Sequence, residues 1–469
     1  MDARPFIDGL PGCDAPLPEI APARLAGLAA LGGAPLRPIR RVALLGCGSG
    51  VGLAILAAAW AGPGRRLVGA AEDAEDLALS QGLLAEAGLE AEVRLASPEA
   101  PEALVAAGPF DLIACPNGWA RLSAARREAL AEALGEAVAP GGAVMLRRPV
   151  APGAAEARAA AQMLRNRWAA LPEDLPPQDR ARRTLADARA LLEASHSMVR
   201  FLSSWEGLMQ GLERLPLPQL LRDWIEARGP DWSLRDEAEA MTAAGFGRLA
   251  PATPDALAPS LFLSPEAVAL ARAAPTPLLA AEVADLCDDR LIRSDLHRRD
   301  GWAAAAQAPR LVRLPAAEGE ADLTPAGLAP YAARLSREAY APLIAALPDA
   351  GGATPAELAR AAGLAEADIV ERLAALVAAE AAGFAADRAP QETADEAGTR
   401  QEACARLNAE LSRRGRVAAL ASTVLGGALR LPAADQDDLR RNGTLDPKKR
   451  SILARAGCPT PDPGRSICR

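Results

Sequence analysis

The feature that most constrains this chain is a glycine turn set between an apolar run and a helix. Val42-Ala43-Leu44-Leu45 ends in Gly46-Cys47-Gly48-Ser49-Gly50-Val51-Gly52, and Val51 to Trp60 then runs at helical spacing to a stop at Gly62-Pro63-Gly64. A ligand can lie across the end of such a strand. Glycines remove the Cβ atoms that would block its approach and supply positive φ values, and the helix start offers free N–H groups. The alternation then continues. Arg66–Ala71 reads as a second strand, residues 74–87 as a helix closed by Gly88, residues 91–96 as a third strand and Phe110–Cys115 as a fourth. Residues 123–138 read as a helix closed by Pro140-Gly141-Gly142, and residues 143–146 as a fifth strand. Strands alternating with helices predict βαβ units and a parallel sheet, and unbroken apolar strands fit burial on both faces.

Beyond residue 153 the periodicity turns helical. Residues 22–31 before the first strand, and 154–170, 178–214, 218–228 and 264–274 after the fifth, carry apolar residues at helical spacing, with residues 251–259 as a linker. Residues 276–299 read as a densely charged helix. Residues 355–362, a turn at Gly363 and residues 366–381 form a helix–turn–helix pattern. The second of those helices carries Glu366, Asp368, Glu371 and Glu380 against Arg372, which phosphate would repel, so a plain helix hairpin is the better reading than DNA recognition. Residues 388–400 read as a polar linker, residues 402–452 as a helix, an apolar stretch and a charged tail, and residues 456–469 as disordered.

Composition removes several classes of function. A formal net charge of −8 argues against a dedicated nucleic-acid binder. The seven cysteines form no CxxC pair and the two histidines, His196 and His297, stand far apart, so no metal site is expected. An unpatterned cysteine set fits a reducing compartment, the N-terminus has no apolar signal core, and no long apolar span appears. The expectation is a cytoplasmic protein with no membrane or nucleic-acid partner.

The spacing of the glycines discriminates between cofactors. The dinucleotide pattern G-x-G-x-x-G fails, because its last position counted from Gly46 is Val51, which disfavours a nicotinamide-dependent oxidoreductase. A phosphate-binding P-loop fails for want of a lysine, since the only lysines are Lys448 and Lys449. The spacing Gly46, Gly48, Gly50 resembles motif I of class I S-adenosylmethionine-dependent methyltransferases. That resemblance implies S-adenosylmethionine as cofactor, with Gly46, Cys47, Gly48 and Gly50 around it. It also implies an acid after the second strand for the ribose hydroxyls. Ala71 takes that position, with Glu72 and Asp73 directly after it, and their plainer role is a solvated helix start. Ser97 stands where the family tends to place an acid near the adenine amine. Phe110 to Trp119 resembles the fourth-strand motif, which puts Cys115 beside the cofactor and makes Asn117 and Trp119 pocket candidates, with a core position the alternative for Trp119. Cys115 is not read as a nucleophile, because no partner histidine is in view.

A narrower resemblance covers residues 41–452 with gaps. Three stretches carry it: the glycine loop through Pro149; Trp224-Ile225-Glu226-Ala227-Arg228-Gly229-Pro230-Asp231-Trp232 with Gly245-Phe246; and residues 285–296, which look like an R-x-F-R helix through Arg290 and Arg293. The group it resembles is that of bacterial methyltransferases carrying a methyltransferase regulatory domain, some of whose wider relatives are protein-lysine methyltransferases. The resemblance implies an α/β fold, a Rossmann-like methyltransferase domain with a parallel-rich sheet followed by mainly α-helical domains. The boundaries expected are an N-terminal extension over 1–36, the cofactor domain over 37–153, a helical regulatory domain over 154–300, a small helical, winged-helix-like domain over 301–388, and a C-terminal domain with a disordered tail over 389–469. A methyl acceptor, a protein among the candidates, is the implied substrate, and the helices after Pro149 would form a lid or a homodimer surface. The chain departs from the group in lacking aromatic and histidine residues after the fifth strand, and in having Arg222-Asp223 where a His–Glu pair is usual. No general base is assigned. The alternative is a catalytically degenerate relative that keeps the fold as a binding or regulatory module.

Overall fold

A computed structural model describes residues 18–459 apart from 99, 117, 151–153, 195–204, 216, 226–233, 288–291, 302–307, 319–322, 324–334, 387–392, 414–418, 432–434, 437 and 440–444. In chain order, helix α1 (Pro22–Leu31) leads to β1 (Arg41–Leu45), α2 (Val51–Ala59), β2 (Arg66–Ala71), α3 (Ala74–Glu86), β3 (Glu92–Leu95), α4 (Glu102–Val105), β4 (Phe110–Cys115), α5 (Ala124–Ala137) and β5 (Val138–Pro149). Helices α6 (Ala155–Ala170), α7 (Pro177–Ala194), α8 (Trp205–Arg214), α9 (Leu217–Leu220) and α10 (Leu234–Ala243) precede β6 (Arg248–Pro251). Helices α11 (Pro265–Ala273) and α12 (Pro277–Cys287) then lead into β7 (Ile292–Arg298).

These seven strands form one sheet in the order β3-β2-β1-β4-β5-β7-β6. Strands β1 to β5 pair in parallel, whereas β7 runs antiparallel to both β5 and β6. A dinucleotide-binding sheet has the order 3-2-1-4-5-6 without that antiparallel insertion. The parallel part is as expected, whereas the antiparallel part, β6 and β7, was hidden in the sequence. Residues 276–299 are not one helix: α12 stops at Cys287 and β7 follows. The reason is chemical. Arg293, Asp295 and His297 make up one inward face of β7, so the strand buries ions where apolar residues would reveal it. With β7 a strand, Arg293 does not sit on an R-x-F-R helix, and Arg290 lies outside the described residues. Strand β5 is also longer than expected, running through Pro140-Gly141-Gly142 because Val138 already pairs with Phe110 across a register shift. Of the continuous helix expected over 178–214, α7 and α8 account for Pro177–Ala194 and Trp205–Arg214, and 195–204 lie outside the described residues.

Helix α2 is apolar all round, and a helix of that kind needs cover on every side. The sheet covers one side. The other is covered by the far end of the chain, where α16 (Ala394–Arg413) brings Cys404, Leu407 and Leu411 into the same core as Leu53, Ile55 and Leu56. Before α16 lie β8 (Leu311–Arg313), α13 (Arg337–Ala346), α14 (Pro355–Ala362), α15 (Glu366–Ala378) and β9 (Ala382–Phe384). Strands β8 and β9 pair antiparallel beside the expected helix hairpin. The expected linker over 388–400 is shorter than read, because α16 begins at Ala394 behind a Thr393–Glu396 capping pair. After α16 come the hairpin β10 (Ala419–Ser422) and β11 (Gly427–Arg430), then α17 (Pro447–Arg455). Residues 456–459 are ordered against this unit, with Cys458 fully buried, and 460–469 lie outside the described residues. No helix among the described residues is long and apolar enough to cross a membrane.

Candidate functional site

The glycine loop stands at the carboxyl end of β1, between β2 and α2. Gly46, Gly48 and Gly50 all take positive φ, at 73°, 52° and 82°, the left-handed region that side chains resist. The N–H groups of Gly46 and Cys47 both donate to the Ala70 carbonyl at 3.1 Å, which ties the loop to the end of β2. The two loop residues that do carry side chains turn them inward. Cys47 and Ser49 are each only 7% exposed, so the surface of the loop is bare backbone around Gly48. Burial pushes the Cys47 thiol up to about 11, which leaves it an inert packing group.

Ser80 on α3 is a site residue that sequence reading missed. Its hydroxyl donates to the Gly48 carbonyl at 3.1 Å and lies 3.6 Å from Cys47 Sγ. A Cβ on Gly50 would stand 2.6 Å from Ser80 Cα. Gly50 is therefore fixed twice, by its φ and by the close approach of α3. The only sequence signal was a small residue on one turn of a helix, which gains meaning only once α3 is laid beside the loop.

The expected ribose acids sit where β2 passes into α3. Asp73 is the N-cap of α3 and accepts from the Asp76 N–H at 2.8 Å, while Glu72 keeps an intermediate exposure. Asp76, buried in the first turn of α3, is a third acid near the loop: it and Glu72 both help to raise the Cys47 pKa. Ser97 follows β3 and its hydroxyl accepts from the Ala100 N–H at 3.1 Å. Cys115, at the end of β4, is fully buried. Trp119 is also fully buried, in the core under α5, and Arg127 Nε donates to its carbonyl at 3.0 Å. Its ring is thus a core group and does not line an open pocket. Asn117 lies outside the described residues.

The loop, the ends of β2 and β4, and the start of α3 thus converge on one edge of the sheet. The fold as a whole has counterparts among solved structures. PKMT2 from Rickettsia typhi, solved in complex with AdoHcy, superposes with a TM-score of 0.59 over 94% of this chain and 90% of its own, at 15% identity. A second structure of that protein gives 0.57 over 94% and 91%, at 14% identity. The chain shares its fold with PKMT2. It is α/β, a Rossmann-like methyltransferase fold with a parallel-rich sheet followed by mainly helical parts. No family model and no curated protein matches the chain.

Two groups of charge flank the far side of this edge, and both begin on β5. Arg148 Nε donates to Glu237 Oε2 at 2.7 Å, and His297 Nε2 lies 2.9 Å from Glu237 Oε1. Arg293 bonds both Asp295 oxygens, at 2.8 and 2.6 Å, and Asp285 Oδ1 at 2.8 Å. Arg148 Nη2 comes within 3.8 Å of Asp295. Burial opposes the charge on Glu237, yet Arg148 and then His297 outweigh it and hold the carboxyl at about 2. Burial likewise opposes the charge on Arg293, and Asp295 and Asp285 more than offset it, so its pKa lies above the usual guanidinium range. This network locks α10 and α12 onto β5 and β7. The second group lies on the opposite face and centres on Arg430, which pairs with Glu19 and Glu380, with Arg24 and Arg147 acting on Glu19 through their charge. An open cleft of about 820 Å³, lined in part by Arg65, Arg66, Glu92 and Arg400, lies at the other end of β2 and β3 and plays no part in the loop's chemistry.

Proposed function

We propose that this protein is an S-adenosylmethionine-dependent methyltransferase that acts on a protein. The observation that carries the reading is the loop itself. Its glycines hold left-handed conformations, its two side chains point inward, and bare backbone at the carboxyl end of β1 is left to meet a ligand. A likeness in fold over nearly the whole chain to PKMT2, a protein solved with AdoHcy, supports the same reading. Gly46, Cys47, Gly48 and Gly50 would cradle the cofactor through backbone. Glu72 is better placed than Asp73 for the ribose hydroxyls, because Asp73 already caps α3. Ser97 and Cys115 would border the adenine and the methyl group.

The cofactor supplies a methyl group already activated on a sulfonium, so what remains for the protein is positioning. The loop and Ser80 hold the backbone rigid, and α16 with the β10–β11 hairpin braces α2 directly behind it. Helices α6 to α9 form a separate apolar cluster after β5 that would serve as a lid or dimer surface. Calorimetric titration with S-adenosylmethionine and S-adenosylhomocysteine tests the reading, and absence of heat at ~1 mM ligand ends it.

A second reading has its own support. Ala71 occupies the position of the usual ribose acid, and the Ser97 hydroxyl accepts within its own turn. A non-catalytic binding protein on the same fold would take up S-adenosylhomocysteine but pass no methyl group. Transfer of radiolabelled methyl to a protein in a cell lysate separates the two.

A further inference from the structure

Three helices leave a gap at the end of β2 remote from the glycine loop. Helices α2 and α3 pack on β2, and α16, from the far end of the chain, packs across α2. Where the three would close on one another, the side chains are too short to meet. Ala57 and Ala58 on α2, Ala85 on α3 and Ala403 on α16 all line an open cleft of about 820 Å³. Leu67 and Leu84 complete its apolar lining, and both are otherwise buried. A volume of this size lies within the range of pockets that take small molecules, about 300–1,000 Å³. Alanines from three helices thus leave a recess that no side chain of the protein fills.

Arginines gather at this recess from two walls. Arg65 and Arg66 follow the turn from α2 into β2, and Arg400 reaches across from α16, its Cδ 4.0 Å from where a Cβ on Gly62 would stand. Arg65 Nη1 donates to the Trp60 carbonyl at 2.9 Å, and Arg400 Nη1 donates to the Ala59 carbonyl at 3.3 Å. These are consecutive carbonyls at the end of α2, where a helix attracts cations. Two guanidinia of like charge are therefore drawn side by side. Arg65 is held further by the Trp60 ring, 5.3 Å from its centre. Three carboxylates share the lining. Glu92 is taken by Arg66 at 2.7 Å and by Arg94 as well. Glu396 turns back to accept from the Thr393 N–H at 2.7 Å, and Glu90 is exposed to solvent. The recess is thus apolar along its helices and cationic where α2 ends.

We propose that this cleft binds an amphipathic anion, its hydrocarbon chain laid along the alanines of α2, α3 and α16 and its carboxylate between Arg65 and Arg400. The carboxylate accepts from both guanidinia and offsets their mutual repulsion. The chain covers apolar surface that the alanines leave open to water. Each part needs the other. A small anion alone would gain only a solvent-screened ion pair, and a cationic amphiphile would add another charge of the same sign. The cleft lies at the opposite end of β2 from Gly46–Gly50, so the proposal goes beyond the methyltransferase reading and does not rest on it.

The test uses decanoate as the probe, with decyltrimethylammonium and acetate as comparisons. Calorimetry and thermal melting are run on the full chain, on Arg400→Met and on Ala85→Trp. Position 85 is exposed, so a tryptophan there fills the cleft without displacing core. Decanoate at ~1 mM should bind the natural protein and raise its Tm, and neither comparison compound should do so. Arg400→Met should weaken decanoate binding about tenfold, by removing one charge-assisted bond. Ala85→Trp should abolish it while melting at the natural temperature in the absence of ligand. Saturating S-adenosylhomocysteine should leave decanoate affinity unchanged. The proposal is overturned if decanoate gives no heat, if decyltrimethylammonium binds as well, or if folded Ala85→Trp still binds decanoate. It is equally overturned if S-adenosylhomocysteine competes, since the chain would then occupy the loop site. Failure of S-adenosylhomocysteine itself to bind ends the cofactor reading and leaves the cleft to be decided by the other arms.

Discussion

Arg147 and Arg148 are neighbours on one strand, and they enter two clusters of opposite character. Successive strand residues point to opposite faces, so Arg148 goes under α10 and α12 and Arg147 toward α1 and the C-terminal unit. The Arg148 cluster is sealed: Arg148, Glu237, Asp295 and His297 are each no more than 3% exposed. Its ions find most of their partners within the protein, and only the Arg148 Nη atoms make no hydrogen bond. The Arg147 cluster is balanced in charge but open, and its members are strained or under-solvated. The sealed cluster can act only on the fold, since no solute reaches it. Two adjacent arginines in one sequence thus enter one sealed cluster and one partly accessible one.

The sharpest way to break this comparison is to remove each arginine in turn. Arg148→Met leaves Glu237 and Asp295 buried with one cation fewer, and it should cost about 3–5 kcal/mol. Arg147→Met removes a partly exposed charge with alternatives nearby, and it should cost less than about 1 kcal/mol. Denaturant unfolding of both variants gives the numbers. Equal losses would mean that the second cluster holds the fold together as firmly as the sealed one.

Acid should separate the clusters next. The folded-state pKa of Glu237 is depressed from 4.5 to about 2. A depressed carboxyl contributes stability that is complete above its unfolded value and is lost as the pH falls through its folded value. The window is therefore from about 4.5 down to about 2, and the loss is on the order of 3 kcal/mol. Stability curves for the natural protein and Glu237→Gln, taken from about pH 6 to pH 3, should converge as the pH drops. A gap that stays constant with pH would show that the carboxyl is not ionised in the fold.

How much of this was readable beforehand divides along the same line. The β1–loop–α2 unit, β2, β4 and α1 were legible because burial there is apolar, and apolar periodicity follows burial. The loop glycines were legible because their conformation demands that residue type. Strand β7 was not, since Arg293, Asp295 and His297 invert the usual rule by burying polar and charged side chains against one another. Ser80 was not, because its task depends on α3 lying against Gly50. The Arg430 cluster was least legible of all: Glu19 and Arg430 are 411 residues apart in sequence and meet only in the fold.

The smallest expected effect is also the one that most sharpens the contrast, and it lies at Glu380. Its folded-state pKa is raised. A raised carboxyl favours folding most when protonated, so its contribution is best below about 4.5 and declines as the pH rises toward its folded value. Glu380→Gln fixes the uncharged form, and at neutral pH it should leave stability unchanged or raise it slightly. Glu380→Gly should add about 0.5–1 kcal/mol more, because glycine accepts the φ of 54° without penalty. The same Glu-to-Gln change at position 237 should be strongly destabilising, so one chemical edit has opposite signs in the two clusters. Unfolding free energies at neutral pH decide the matter. If Glu380→Gln destabilises as much as Glu237→Gln, then Glu380 is a buried ion-pair partner like the others, and its strained backbone is held in place by that pairing.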